Sequence, residues 1–207
     1  MRWYFLFAII ATVATVAVFY PGAKNNPLPF IKSASSITPE SLLRLKNYSN
    51  ELSLYANVNG YNTHYCFLID MKIPSGKKRF FVYNLKGDSI AIAGMVTHGS
   101  GSTYSAAIVF SNEPGSNCSS TGKYKIGQSY NGKFGLAYKL QGLDATNSNA
   151  YKRFVVLHAH PSVPTGEVAP QKICTSWGCP TVSPAFLQQL KLYLDKPGKP
   201  ILLWIYN

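Results

Sequence analysis

From residue 65 onward the sequence breaks into short runs of aromatic and β-branched residues divided by turn formers, a pattern that constrains the chain to a sheet. The runs are Tyr65–Asp70, Lys78–Tyr83, Ser89–Val96, Tyr104–Phe110, Tyr124–Ile126, Gly135–Leu140, Arg153–His158 and Ile201–Tyr206. Pro74-Ser75-Gly76, Gly87-Asp88 and Gly99-Ser100-Gly101 supply turns between them. A helix is expected ahead of the sheet. Thr38-Pro39-Glu40 offers a hydroxyl cap, a first-turn proline and an acid near the positive helix end. Leu42, Leu45, Tyr48, Leu52 and Tyr55 then recur at helical spacing to about Val58, a stripe read as core packing. A second, short helix is predicted from about Ser183 to Leu194. The fold class is therefore mostly β, with no repeat and no second composition block.

The N-terminal end reads differently. Eighteen uncharged residues, Trp3 to Tyr20, follow Met1 and Arg2, which suits a signal peptide or a membrane anchor. Both readings export the rest of the chain to the periplasm or cell envelope. Residues 1–22 are assigned to that segment, 23–37 to a Pro-, Ser-, Asn- and Lys-rich linker, and 38–207 to one domain able to bury its own core. The net charge of +12 suits anionic surroundings. Lys72, Lys77, Lys78, Arg79 and Lys86 gather in one region, and Lys123, Lys125, Lys133 and Lys139 in another. Nucleic acid is not expected as a partner, because an exported chain seldom meets it and no recognition motif is present.

The residues that carry chemistry are Ser176-Trp177-Gly178-Cys179 and, upstream, His158-Ala159-His160. A free thiol with a pKa near ~8.5 is mostly protonated at neutral pH and needs a base to become a nucleophile. His158 ends an apolar strand and so is held by a rigid element, as a general base should be. Gly178 permits a sharp turn that could aim the N–H groups of Gly178 and Cys179 at an oxyanion. These residues point to acyl transfer.

The segment from about Phe67 to Val182 resembles the L,D-transpeptidase catalytic domain family, bacterial enzymes that cross-link peptidoglycan through a cysteine acyl-enzyme. Seventeen residues separate the strand-end His158 from Ser176, and Cys179 closes the Ser-x-Gly-Cys motif. Thr97-His98-Gly99-Ser100-Gly101, the block from Phe110 to Ser116, Ser119-Ser120-Thr121-Gly122 and Gly142-Leu143-Asp144 follow the family in order. Trp177 stands where many members have histidine, and Ala159 where many have glycine. The resemblance implies a β-sandwich or open barrel with an N-terminal helix and a short helix after the cysteine. It also implies that Cys179 attacks a stem tetrapeptide, releases D-alanine and passes the acyl group to an amine. Water as acceptor would make the same site an L,D-carboxypeptidase. The Ala159 carbonyl is implied to orient His158, with no cofactor, peptidoglycan stem peptides as partners, and a monomer.

Two other readings compete. A zinc site could draw on His158, His160, Cys174 and Cys179, although the cysteine spacing is unusual for zinc. A chain that only binds peptidoglycan without reacting is the other. A Cys174–Cys179 disulfide would consume the nucleophile, and pairing of Cys66, Cys118 and Cys174 is not fixed by sequence. Candidate substrate contacts are Ser176, His160, Trp177, His98 with its glycine-rich turn, Arg153 and Tyr124. Arg153 could pair with a stem carboxylate.

Overall fold

The computed structural model describes residues 37–103, 105 and 107–207. Residues 1–22, expected to be a signal peptide or anchor, and all but the last residue of the expected linker lie outside the described residues. Among the described residues no helix is long and apolar enough to cross a membrane.

Helix α1 spans Pro39–Asn59. The Thr38 hydroxyl accepts the Ser41 N–H at 3.2 Å, and Gly60 closes the helix in the left-handed region. Its buried face is Ser41, Leu45, Ser49, Leu52 and Ala56, with Tyr48 and Tyr55 partly buried beside it. Leu42, expected in that stripe, is 51% exposed, because the face that meets the sheet is rotated toward the small residues Ser41 and Ser49.

The strands are β1 Tyr65–Asp70, β2 Phe80–Asn84, β3 Ser89–Gly94, β4 Gly122–Gly132, β5 Gly135–Gly142, β6 Val156–Ala159, β7 Thr181–Val182 and β8 Leu202–Tyr206. They form one eight-stranded sheet in the order β3-β2-β1-β8-β4-β5-β6-β7. All neighbours are antiparallel except β1–β8 and β6–β7. The fold class is mostly β, as expected, with the second helix α2 at Pro184–Leu194 capped by the Ser183 hydroxyl.

Strands β1, β2 and β8 are apolar on both faces because both are covered. Leu68, Phe81, Leu202 and Trp204 meet α1, where Tyr48 stacks on Tyr206 at 3.8 Å between ring centroids. Phe67, Phe80, Leu203 and Ile205 face the larger core with Leu157, Phe186 and Leu190. Helix α2 sits tightly on the sheet, since any Cβ at Gly94 would enter the Phe186 ring.

Two predicted strands are corrected. Among the described residues of 104–110 no strand forms; Phe110 makes only an isolated bridge to Ser119. There the Ser102 hydroxyl accepts the Val109 N–H at 2.8 Å and donates to its carbonyl, replacing a ladder. Arg153 and Phe154 lie in a turn before β6, with Phe154 at φ 55°.

Candidate active site

Strands β6 and β7 pair in parallel, with His158 opposite Thr181. This register brings the end of β6 beside the turn that carries Cys179. The turn is pinned by the 98–100 segment and by its own serine. Ser176 N–H donates to the His98 carbonyl at 2.9 Å, and the Ser100 N–H donates to the Ser176 carbonyl at 2.7 Å. The Ser176 hydroxyl donates to the Cys179 carbonyl at 2.6 Å and accepts the Gly178 N–H at 3.2 Å. Gly178 adopts φ +109°, and a Cβ there would lie 2.7 Å from the Cys118 carbonyl oxygen. Only glycine fits.

Cys179 and His158 both line a cavity of about 260 Å³, together with Thr97, Phe134, His160 and Trp177. The thiol is held from behind. The Val156 N–H donates to Sγ at 3.5 Å, and Sγ donates to the Phe154 carbonyl at 3.7 Å. Burial pushes its pKa up, against opposing pulls from the Val156 N–H and the Arg153 charge. The resting thiol is therefore protonated and depends on a base.

His158 is buried. Its Nδ1 lies 3.1 Å from the Ala159 carbonyl, an acceptor, so the proton belongs on Nδ1 and the lone pair on Nε2. That lone pair faces the Thr181 hydroxyl at 3.0 Å. Burial lowers the histidine pKa, with the Ala159 carbonyl opposing and nearby His160 assisting. The ring is thus a neutral base near pH 7. Phe134 stacks on it at 5.1 Å and 18°, and meets His160 edge-on at 6.0 Å. No hydrogen bond joins Sγ to the imidazole; Thr181 holds the ring nitrogen that would take the proton.

Several candidates fall elsewhere. Gly178 N–H is spent on Ser176, so of the two amides expected to face an oxyanion only that of Cys179 makes no hydrogen bond among the described residues. Ser176 stays at the cavity wall, but its hydroxyl is committed to the turn and makes no bond to the histidine. His98 bonds through Nδ1 to Arg79 Nη2 at 3.0 Å and lines a separate cavity of about 440 Å³. Its glycine-rich turn has no amides to offer, since Gly99, Ser100, Gly101 and Ser102 N–H all bond internally. Arg153 is a clamp: its guanidinium donates to the Ser111 and Cys118 carbonyls and to Ser116 and Ser120. Tyr124 is fully buried, its hydroxyl bonded to Ser120. His160, Trp177 and the exposed Cys174 do line the cavity.

The zinc reading lacks a ligand set. Among the described residues no three His, Cys, Asp or Glu side chains converge on a metal position, and both His158 nitrogens are engaged. All four cysteines are free thiols. Thr181 and Phe134 are the residues that sequence reasoning missed. The strand register alone could have marked Thr181, two residues past the cysteine on the strand paired with His158.

No curated protein matches the chain. Solved structures similar to it include Bd1075 of Bdellovibrio bacteriovorus, at 17% identity and a TM-score of 0.46, covering 72% of this chain and 49% of that one. The helical cell shape determining protein Pgp2 from Campylobacter jejuni is 11% identical, with a TM-score of 0.47 and coverage of 69% and 47%. An L,D-transpeptidase from Mycobacterium smegmatis is 12% identical, with a TM-score of 0.40 and coverage of 70% and 59%. The chain spans about half the length of the first of these. The family model described as the L,D-transpeptidase catalytic domain matches residues 40–204, nearly the whole described region, and the chain belongs to that family.

Proposed function

We propose that the protein is a peptidoglycan L,D-transpeptidase working through a thioester at Cys179. Family membership supports the peptidoglycan substrate. The observation that carries the chemistry is one cavity shared by half-buried Cys179 and by His158, whose Nδ1 proton is fixed by a backbone carbonyl so that the basic lone pair sits on Nε2.

In this reading the Thr181 hydroxyl turns away toward the Cys179 carbonyl, 3.4 Å from it, and frees Nε2. His158 takes the thiol proton, and the thiolate attacks the carbonyl preceding the terminal D-alanine of a stem tetrapeptide. The Cys179 N–H stabilises the oxyanion. The C–N bond breaks, the imidazolium returns its proton to the departing D-alanine amine, and a thioester remains. An amine of a second stem loses a proton to His158, attacks the thioester and restores the thiol. Gly178 supplies the turn, and Ala159 keeps the tautomer throughout. His160 and Trp177 line the approach.

Intact-mass measurement of the full chain with disaccharide tetrapeptide tests this. An acyl adduct lighter than the substrate by D-alanine, absent in Cys179→Ala, is expected, followed by cross-linked dimer among the products. Tripeptide alone would assign a carboxypeptidase. No adduct on a folded protein that still binds sacculi would assign a binding module.

A further inference from the structure

Among the described residues the large aromatic side chains most open to solvent are Tyr130, Phe134, Tyr151, Phe154 and Trp177. Three of them belong to the thiol or its cavity, and two extend away from it. Phe134 and Trp177 line its cavity, and the Phe154 carbonyl receives the Cys179 thiol. Tyr151 is tied to Phe154 through the hydrogen bond from Phe154 N–H to the Tyr151 carbonyl at 3.1 Å. Tyr151 then shares Lys139 with Tyr130, the ammonium lying 5.6 Å from each ring centroid.

Phe154 is the most telling of these. It holds φ 55° at the close of a tight turn, where Val155 N–H reaches back to the Ala150 carbonyl, a position that favours glycine. An aromatic residue is strained there, and this one is 82% exposed. The chain thus carries the strain of a ring that adds little to its own core. Beyond Tyr151 runs a groove of about 330 Å³ on the outer face of β4 and β5. Tyr130, Tyr151, Lys125, Lys139, Gln128 and Gln141 line it, with no acidic residue. The register of β4 against β5 shifts between Ile126 and Ser129, in the wall of this groove, as bulges do where side chains are re-aimed.

Flat rings offer stacking faces to the C–H faces of pyranose sugars, exposed amides match hydroxyl and acetamido groups, and lysines match carboxylates. We propose that the groove and the Tyr151–Phe154 turn form a binding ledge for the glycan strand of peptidoglycan, leading to the thiol cavity. The proposal rests on the acyl-transfer reading only for the destination of the stem peptide. The charge of the groove complements a strand that carries anionic stems, or free lactyl carboxylates where the stems have been removed.

The test separates the two claims. Stem-free strands of alternating N-acetylglucosamine and N-acetylmuramic acid, prepared by amidase digestion, probe the ledge by calorimetry with the full chain. Free stem tetrapeptide, lacking sugar, probes the thiol by mass. Tyr130→Ala and Tyr151→Ala are expected to weaken glycan-strand binding about tenfold each, as truncation of an aromatic anchor does. Phe154→Gly relieves the backbone strain, so it is expected to raise Tm while weakening glycan binding, a pairing that a merely structural role would not give. Acylation by free tetrapeptide stays unchanged in Tyr130→Ala and Tyr151→Ala. Equal glycan affinity in parent and variants, or no binding by the parent, overturns the ledge. Glycan binding without tetrapeptide acylation supports the ledge and overturns acyl transfer.

Discussion

The Thr181 hydroxyl occupies the Nε2 lone pair that the proposed mechanism calls on, and this competition has a measurable signature. A donor to Nε2 favours neutral imidazole, so its removal raises the His158 pKa. In Thr181→Val the acidic limb of the pH profile of kcat/KM is expected to move to higher pH, and acylation well above that limb to speed up. A limb that stays put would show that the hydroxyl already points elsewhere in the working enzyme. Gly178→Ala acts on the same few ångströms by sterics. With a Cβ 2.7 Å from the Cys118 carbonyl, the turn must shift. The expected loss is about 1–3 kcal/mol in thermal or urea unfolding, with the acylation rate falling as well. Meropenem is expected to form an adduct on the parent and none on Cys179→Ala, read by intact mass, which tests the thiol without a sugar-bearing substrate.

Among the elements, α1 distinguishes pattern from packing. Leu52 is fully buried against the sheet, while Leu42, one turn from the cap, is half exposed. Leu52→Ala is expected to cost about 2–5 kcal/mol and Leu42→Ala less than about 0.5 kcal/mol, both read by denaturant midpoints. Equal costs would mean the helix sits rotated from its described seat. The contrast also shows how far sequence carries. Tyr65–Asp70 is read to the residue because Tyr65 to Ile69 is an unbroken aromatic and apolar run, as a strand buried on both faces requires. The start of β6 is misplaced because Arg153 and Phe154 look β-prone, and only the fold imposes the left-handed turn. Strand β7 is two residues long, too short for any periodicity. At the site, Cys179, His158 and Ala159 follow from local motif and strand end. Phe134 and Thr181 reach the cavity from a hairpin tip and an adjacent strand, and local composition marks neither. Arg153 and Tyr124 mislead for the opposite reason, since their polar groups suit a substrate as well as they suit the carbonyls and hydroxyl they bind.

For the whole molecule, buried positive charge sets the response to acid. His98 packs against Arg79, and burial, reinforced by Arg79 and Lys172, lowers its pKa to about 4 from the ordinary 6.5. The unfolded chain therefore takes up this proton first as the pH falls. Stability is expected to decline between about pH 6.5 and 4, by up to about 3 kcal/mol from this group, with His158 contributing in the same sense. His98→Asn keeps an acceptor for Arg79 and should flatten the slope of unfolding free energy against pH; an unchanged slope would place the titration elsewhere. The sheet order has a further consequence. Strand β8, last in sequence order, lies in the middle of the sheet, joining β1 on one side to β4 on the other. Whichever way the polypeptide emerges from ribosome or translocon, residues 65–94 and 122–182 have no ladder between them until Leu202–Tyr206 arrives. Joining of the two halves thereby waits for that single stretch, and a ribosome stalled before it yields two unjoined half-sheets.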